Sequence, residues 1–118
     1  MAKRNFFYKR NWRSKNVRKN CFWTEVNGNK YLVSYQTVVA MIDNDGVIHK
    51  FWNDYSATTM NQINQFARLF NARTFNKKEW LEYPTETLNG DDYRVIKPLI
   101  PEIEYSMYDF VEKISYAK

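Results

Sequence analysis

The sequence predicts an α+β fold: an antiparallel β-meander of about four strands packed on one main amphipathic helix, with a short second helix and a C-terminal helix. Three observations carry this expectation. Two β-rich stretches reverse at turn signals, a helical apolar period follows between Met60 and Phe70, and 118 residues suffice for one hydrophobic core but not two.

The first hairpin is legible from its turn. Phe22 to Val26 and Lys30 to Val33 flank Asn27-Gly28, a pair suited to the positive φ angles of a type I′ turn. Ser34 to Ile42, rich in Val, Tyr and Thr, then runs through Asp43-Asn44-Asp45-Gly46 into Val47 to Trp52, a second hairpin. The helix comes next. Met60, Ile63, Phe66, Ala67 and Phe70 fall within an arc of about 120° at helical pitch, the width of a core-facing stripe. Asn61, Gln62, Asn64, Gln65 and Arg68 lie outside that arc, which makes Gln62, Gln65 and Arg68 a candidate secondary contact surface. Ser56 or Thr58 is placed to cap the helix start.

Asn76 with Glu79 has capping-box spacing, so Lys77 to Tyr83 is expected to be a short helix ending before Pro84. Two helices on a short connection invite a helix-turn-helix reading, but the second is brief and acidic at its end, where a reading helix is basic and polar. Thr85 to Asp92 reads as a polar loop and Tyr93 to Ile96 as a last short strand. Pro98 and Pro101 bracket an extended piece, and Ser106 to the C-terminus carries one apolar helical face of Met107, Phe110, Val111 and Ile114.

Charge divides the chain. Residues 1–20 carry eight Lys or Arg and no acid, whereas residues 79–118 carry four basic and nine acidic residues, so the whole excess of +5 arises at one end. We therefore expect a basic, flexible arm over residues 1–20 and a single α+β domain over residues 21–118. In the arm, Lys3, Arg4, Lys9, Arg10, Arg13, Lys15, Arg18 and Lys19 are interleaved with Phe7, Tyr8 and Trp12. Cations neutralise phosphates and rings stack on exposed bases, which together describe nucleic-acid binding without sequence preference. Fully extended, the twenty residues reach on the order of 65 Å. A solubilising tail that packs on the domain, or a segment for an acidic protein partner, accounts for the same composition, and the acidic C-terminal part is able to fold back and screen the arm.

Enzyme chemistry finds no foothold. His49 has no second His or Cys at ligand spacing, so a zinc site is not expected, and no other metal or cofactor is implied. Gly28, Gly46 and Gly90 lie singly, without a phosphate-cradling loop. The carboxylate pairs Asp43/Asp45 and Asp91/Asp92 sit in turn chemistry. A single cysteine, Cys21, fits a buried thiol in a reducing compartment. No apolar run approaches a membrane span, and no apolar region of a secretory signal follows the basic start, so a cytoplasmic, non-membrane protein is expected.

Tyr35-Gln36-Thr37-Val38-Val39-Ala40, Tyr55-Ser56-Ala57-Thr58-Thr59-Met60-Asn61-Gln62-Ile63-Asn64 and Lys77-Lys78-Glu79-Trp80 together resemble a family of small uncharacterised bacteriophage proteins of low-GC Gram-positive bacteria, over about Tyr31 to Tyr83. The resemblance implies phage origin, action in the cytoplasm of an infected cell and a compact β-rich unit with a helix. It names no activity. That family has a histidine where this chain has Gln62, so no titratable role carries over there. In architecture, a basic aromatic arm on a small domain is also similar to what some anti-CRISPR proteins carry. The readings that follow are a phage-encoded, non-enzymatic accessory protein binding nucleic acid or a host nucleoprotein, an inhibitor of a host defence nuclease such as a CRISPR effector, or a self-associating assembly protein.

Overall fold

The computed structural model describes residues 3–6 and 21–100. Its elements run β1 (Asn5–Phe6), β2 (Cys21–Val26), β3 (Asn29–Ser34), β4 (Thr37–Ile42), β5 (Ile48–Lys50), α1 (Ala57–Leu69), α2 (Lys77–Glu82) and α3 (Gly90–Ile96), followed by a 3₁₀ turn over Lys97–Leu99. The strands form one antiparallel sheet in chain order, β1-β2-β3-β4-β5. The expected α+β meander is therefore present, with one strand more than the four anticipated. That strand is β1, which comes from the segment read as an arm.

Local chemistry explains most of the elements. Asn27 and Gly28 take φ angles of 53° and 84°, closing the β2–β3 hairpin in the left-handed conformation that this pair tolerates best. Ser56 caps α1, its hydroxyl accepting from Thr59 N at 3.0 Å. In the capping box of α2, Asn76 Oδ1 accepts from Glu79 N at 2.8 Å and Glu79 Oε1 from Asn76 N at 3.0 Å. Asn64 ties the two helices together: its side-chain amide donates to Phe75 O and accepts from Phe75 N, each at 2.8 Å.

Three stretches differ from expectation. The Val- and Thr-rich run begins its strand only at Thr37, because Tyr35, at φ 56°, turns the chain without a glycine to mark the reversal. Tyr93 to Ile96 is helical, not extended, since Asn89 caps Asp91 N at 2.8 Å and two acids occupy the first turn of α3. Pro98 lies inside the 3₁₀ turn, where its fixed φ is compatible and no N–H is required, so the piece before Pro101 is not simply extended. The expected C-terminal helix lies outside the described residues.

Both faces of the sheet are covered. On one, Cys21, Leu32, Val39, Ala40, Ile42 and Ile48 pack with Met60, Ile63, Phe66 and Ala67 of α1 and with Phe75 and Trp80. On the other, Phe22, Val26, Tyr31, Val33 and Val38 pack with Ile96 of α3, with Leu99 and Ile100 against them. Strands apolar on both sides, such as Tyr31-Leu32-Val33, are those that need two covering layers. One helix over one face would leave half of this surface in water.

Candidate nucleic-acid interface

Two residues of the basic segment, Asn5 and Phe6, belong to the sheet as β1. Asn5 pairs with Trp23 and Phe6 with Phe22, and Asn5 Nδ2 also donates to Trp23 O at 3.2 Å. Of the expected contact residues, Lys3 and Arg4 are described, and both are exposed. Phe7, Tyr8, Lys9, Arg10, Trp12, Arg13, Lys15, Arg18 and Lys19 lie outside the described residues.

A groove of about 720 Å³ opens near the point where this segment joins the sheet. Arg4 contributes from the start of β1, Gln36 from the β3–β4 turn, Tyr93 from α3, and Lys97, Leu99 and Ile100 from the turn that follows. Two cations, an amide and a phenol thus lie with aliphatic carbon around it, and among the described residues no acid lines it. The sequence marks none of this as a site, because its residues come from three separate stretches. The closest sequence signal is the basic run that begins at Lys3-Arg4.

α1 presents less than was expected. Gln62 is buried and its carbonyl oxygen accepts from Ser34 Oγ at 2.5 Å, joining α1 to β3. It therefore falls out of the secondary contact surface: two turns of helix bring it against the sheet beside Ile63 and Phe66. Gln65 is half-buried, and only Arg68 stands exposed.

His49 acquires partners invisible in sequence. Its Nε2 lies 2.8 Å from Asp43 Oδ2 and its Nδ1 2.6 Å from Glu86 Oε2, an arrangement the imidazolium satisfies by donating twice. Burial pulls the imidazole pKa down, but the hydrogen bonds and charges of the two carboxylates outweigh it and leave it raised. Asp43 is held below its ordinary value, chiefly by the bond from His49. Asp43 is also the turn former that sequence suggested, its Oδ1 accepting from Asp45 N and Val47 N. With both ring nitrogens engaged, His49 is no poised base; it clasps the β4–β5 turn to the strand-like segment at Glu86, whose N–H donates to Lys50 O at 2.7 Å.

Two further buried groups hold the scaffold. Asp92, read as part of a turn pair, is buried and accepts from the Tyr31 hydroxyl, anchoring α3 to β3. The Tyr31 pKa is raised, first by burial and then by its bond to Asp92. Cys21 is fully buried. Among the described residues there is no group of three or more His, Cys, Asp or Glu placed to hold a metal ion, and no helix is long and apolar enough to cross a membrane.

A family model described as "Family of unknown function (DUF8033)" matches residues 2–82, taking in the basic segment, the sheet, α1 and α2. No curated protein and no solved structure matches the chain.

Proposed function

The chain belongs to DUF8033, a family of unknown function, and from its own residues we propose that it is a phage-encoded, non-enzymatic protein that binds nucleic acid or a nucleoprotein through its basic segment. The observation that carries this reading is the interleaving of cations and rings in residues 1–20, a stretch that holds no acid. Binding and not catalysis is supported by His49, whose two nitrogens are both spent on carboxylates. A host defence nucleoprotein, a CRISPR effector among them, offers the same phosphate and base chemistry and is the narrower form of the reading.

Fluorescence anisotropy with labelled DNA and RNA over a range of salt tests it. If Lys9, Arg10, Arg13, Lys15, Arg18 and Lys19 each neutralise a phosphate, log affinity for duplex falls with log salt at a slope near about −5. Changing all six to Gln removes most of that dependence, Lys3 and Arg4 remaining. Weak affinity independent of salt, or unchanged affinity after the six substitutions, refutes the reading.

A further inference from the structure

The outer side of α1 is built against ordinary helix preference. Its buried side meets the sheet through Met60, Ile63, Phe66 and Ala67, whereas Thr58, Asn61 and Arg68 are exposed. Thr and Asn are poor helix formers, and on a surface that packing does not decide Ala, Glu or Lys would serve stability better. Other asparagines hold structural bonds: Asn64 ties Phe75, and Asn76 and Asn89 cap α2 and α3. Asn61 and Arg68 make no side-chain hydrogen bond or ion pair. Acid is also kept away. Glu79 lies in the first turn of α2 and Asp91 and Asp92 in that of α3, where a carboxylate favours the helix, but α1 has none there. Residues 55–78 hold four Lys or Arg and no Asp or Glu. Lys77 Nζ lies 5.0 Å from the centroid of the Tyr55 ring, beside the start of α1, and Arg68 lies in its last turn, so cations stand at both ends of the helix.

We propose that the outer face of α1 reads the major groove of duplex DNA, with Asn61 and Arg68 at base edges and Lys77 and Lys78 on flanking phosphates. The proposal rests on the nucleic-acid reading above and deepens it by assigning sequence readout to a helix of the domain, apart from the basic segment. The major groove of B-DNA, about 12 Å wide, admits an α-helix. The Asn amide matches N6 and N7 of adenine, and the Arg guanidinium matches O6 and N7 of guanine. Asn61 and Arg68 are two turns apart, about 10.5 Å along the axis or about three base pairs. A protein partner would need an apolar anchor at the centre of the contact, where this face offers an amide, a hydroxyl and a guanidinium. Duplex RNA presents a major groove too deep and narrow for the helix.

The test uses the full chain and a pool of short DNA duplexes with a randomised centre, carried through rounds of selection. The wild-type chain is expected to enrich a motif that holds an adenine and a guanine about three base pairs apart. Arg68→Gln is expected to lose the preference for guanine at that one position and to weaken binding to the selected duplex on the order of 10-fold, and Asn61→Ala to do the same at the adenine. A change of preference confined to one position is a result that unfolding cannot mimic. If the wild-type chain binds the pool in a salt-dependent way but enriches no motif, or if both variants enrich the wild-type motif unchanged, the assignment to α1 falls and the nucleic-acid reading stands. If the chain binds neither the pool nor single strands, both fall. Equal affinity for an RNA duplex of the selected sequence would also overturn the proposal, because the helix cannot enter that groove.

Discussion

Replacing Lys50 with Met should destabilise the domain by about 1–2 kcal/mol. Lys50 is fully buried, and its Nζ donates to Trp80 O at 2.7 Å and to Tyr83 O at 3.0 Å, the carbonyls at the C-terminal end of α2. The ammonium also sits 5.2 Å from the Trp80 ring centroid. It thus serves as the cap that this helix lacks in its own last turn, which contains no basic residue. Met keeps the stem and removes the charge. Trp80 O retains a bond from Tyr83 N at 3.2 Å, so Tyr83 O is the carbonyl stripped of its partner, a loss of about 1–3 kcal/mol for a buried polar group. Relief of the desolvation of a buried cation offsets part of this, which sets the lower net figure. Urea unfolding followed by tryptophan fluorescence reads the effect, because Trp80 is itself buried. At an m-value of about 1.5 kcal/mol per molar, the midpoint should fall by about 1 M. Burial holds the Lys50 pKa below its ordinary 10.5. Between the folded and unfolded values the unfolded chain holds the proton more tightly, so the contribution of Lys50 to stability rises with pH up to about 10.5. A Lys50→Met midpoint at or above wild type, or a wild-type advantage that shrinks as pH rises through that window, would refute the reasoning.

Tyr31→Phe leaves the Asp92 carboxylate buried with Asn27 Nδ2, at 3.4 Å, as its remaining donor, and should cost about 2–4 kcal/mol; adding Asp92→Asn should recover part of that in a double-mutant cycle, whereas strict additivity would deny the coupling. His49→Gln should lower the melting temperature most below pH 6.5, where the raised His49 pKa makes its contribution complete, and the difference should vanish as pH rises through the folded value. At the acid end, the contribution of Asp43 is present above 3.8 and is lost as pH falls through its lowered folded value, so the clasp is strongest between these limits; a His49→Gln deficit that grows toward alkaline pH would contradict the assignment. Both groups are partly exposed, which keeps the expected effect to about 0.5–1 kcal/mol. Gln62→Leu should cost about 1–2 kcal/mol through the abandoned Ser34 hydroxyl and leave nucleic-acid affinity unchanged in the anisotropy assay; a loss of affinity at wild-type stability would restore Gln62 as a contact residue.

What the chain states locally, the sequence conveyed. Asn27-Gly28 determines a turn, Ser56 and the Asn76–Glu79 pair determine helix starts, and the period from Met60 to Phe70 determines a core face, because each acts over at most a few residues. Composition also located the basic segment. The pairing of Asn5 and Phe6 with β2 is another matter: it joins residues 16 to 18 positions apart and has no local signal. α3 was misread since Asn89-Gly90 serves a loop or a cap equally well, and only packing of Ile96 against Phe22 and Val33 selects the helix. The polar contacts that organise the molecule are longer still. His49 meets Glu86 across 37 residues and Tyr31 meets Asp92 across 61, distances over which no periodicity survives. The sequence alone therefore determined the elements and the charge. Only the tertiary structure decided which charges face one another and which helices cover the sheet, because those follow from the second layer that a sheet apolar on both faces must acquire.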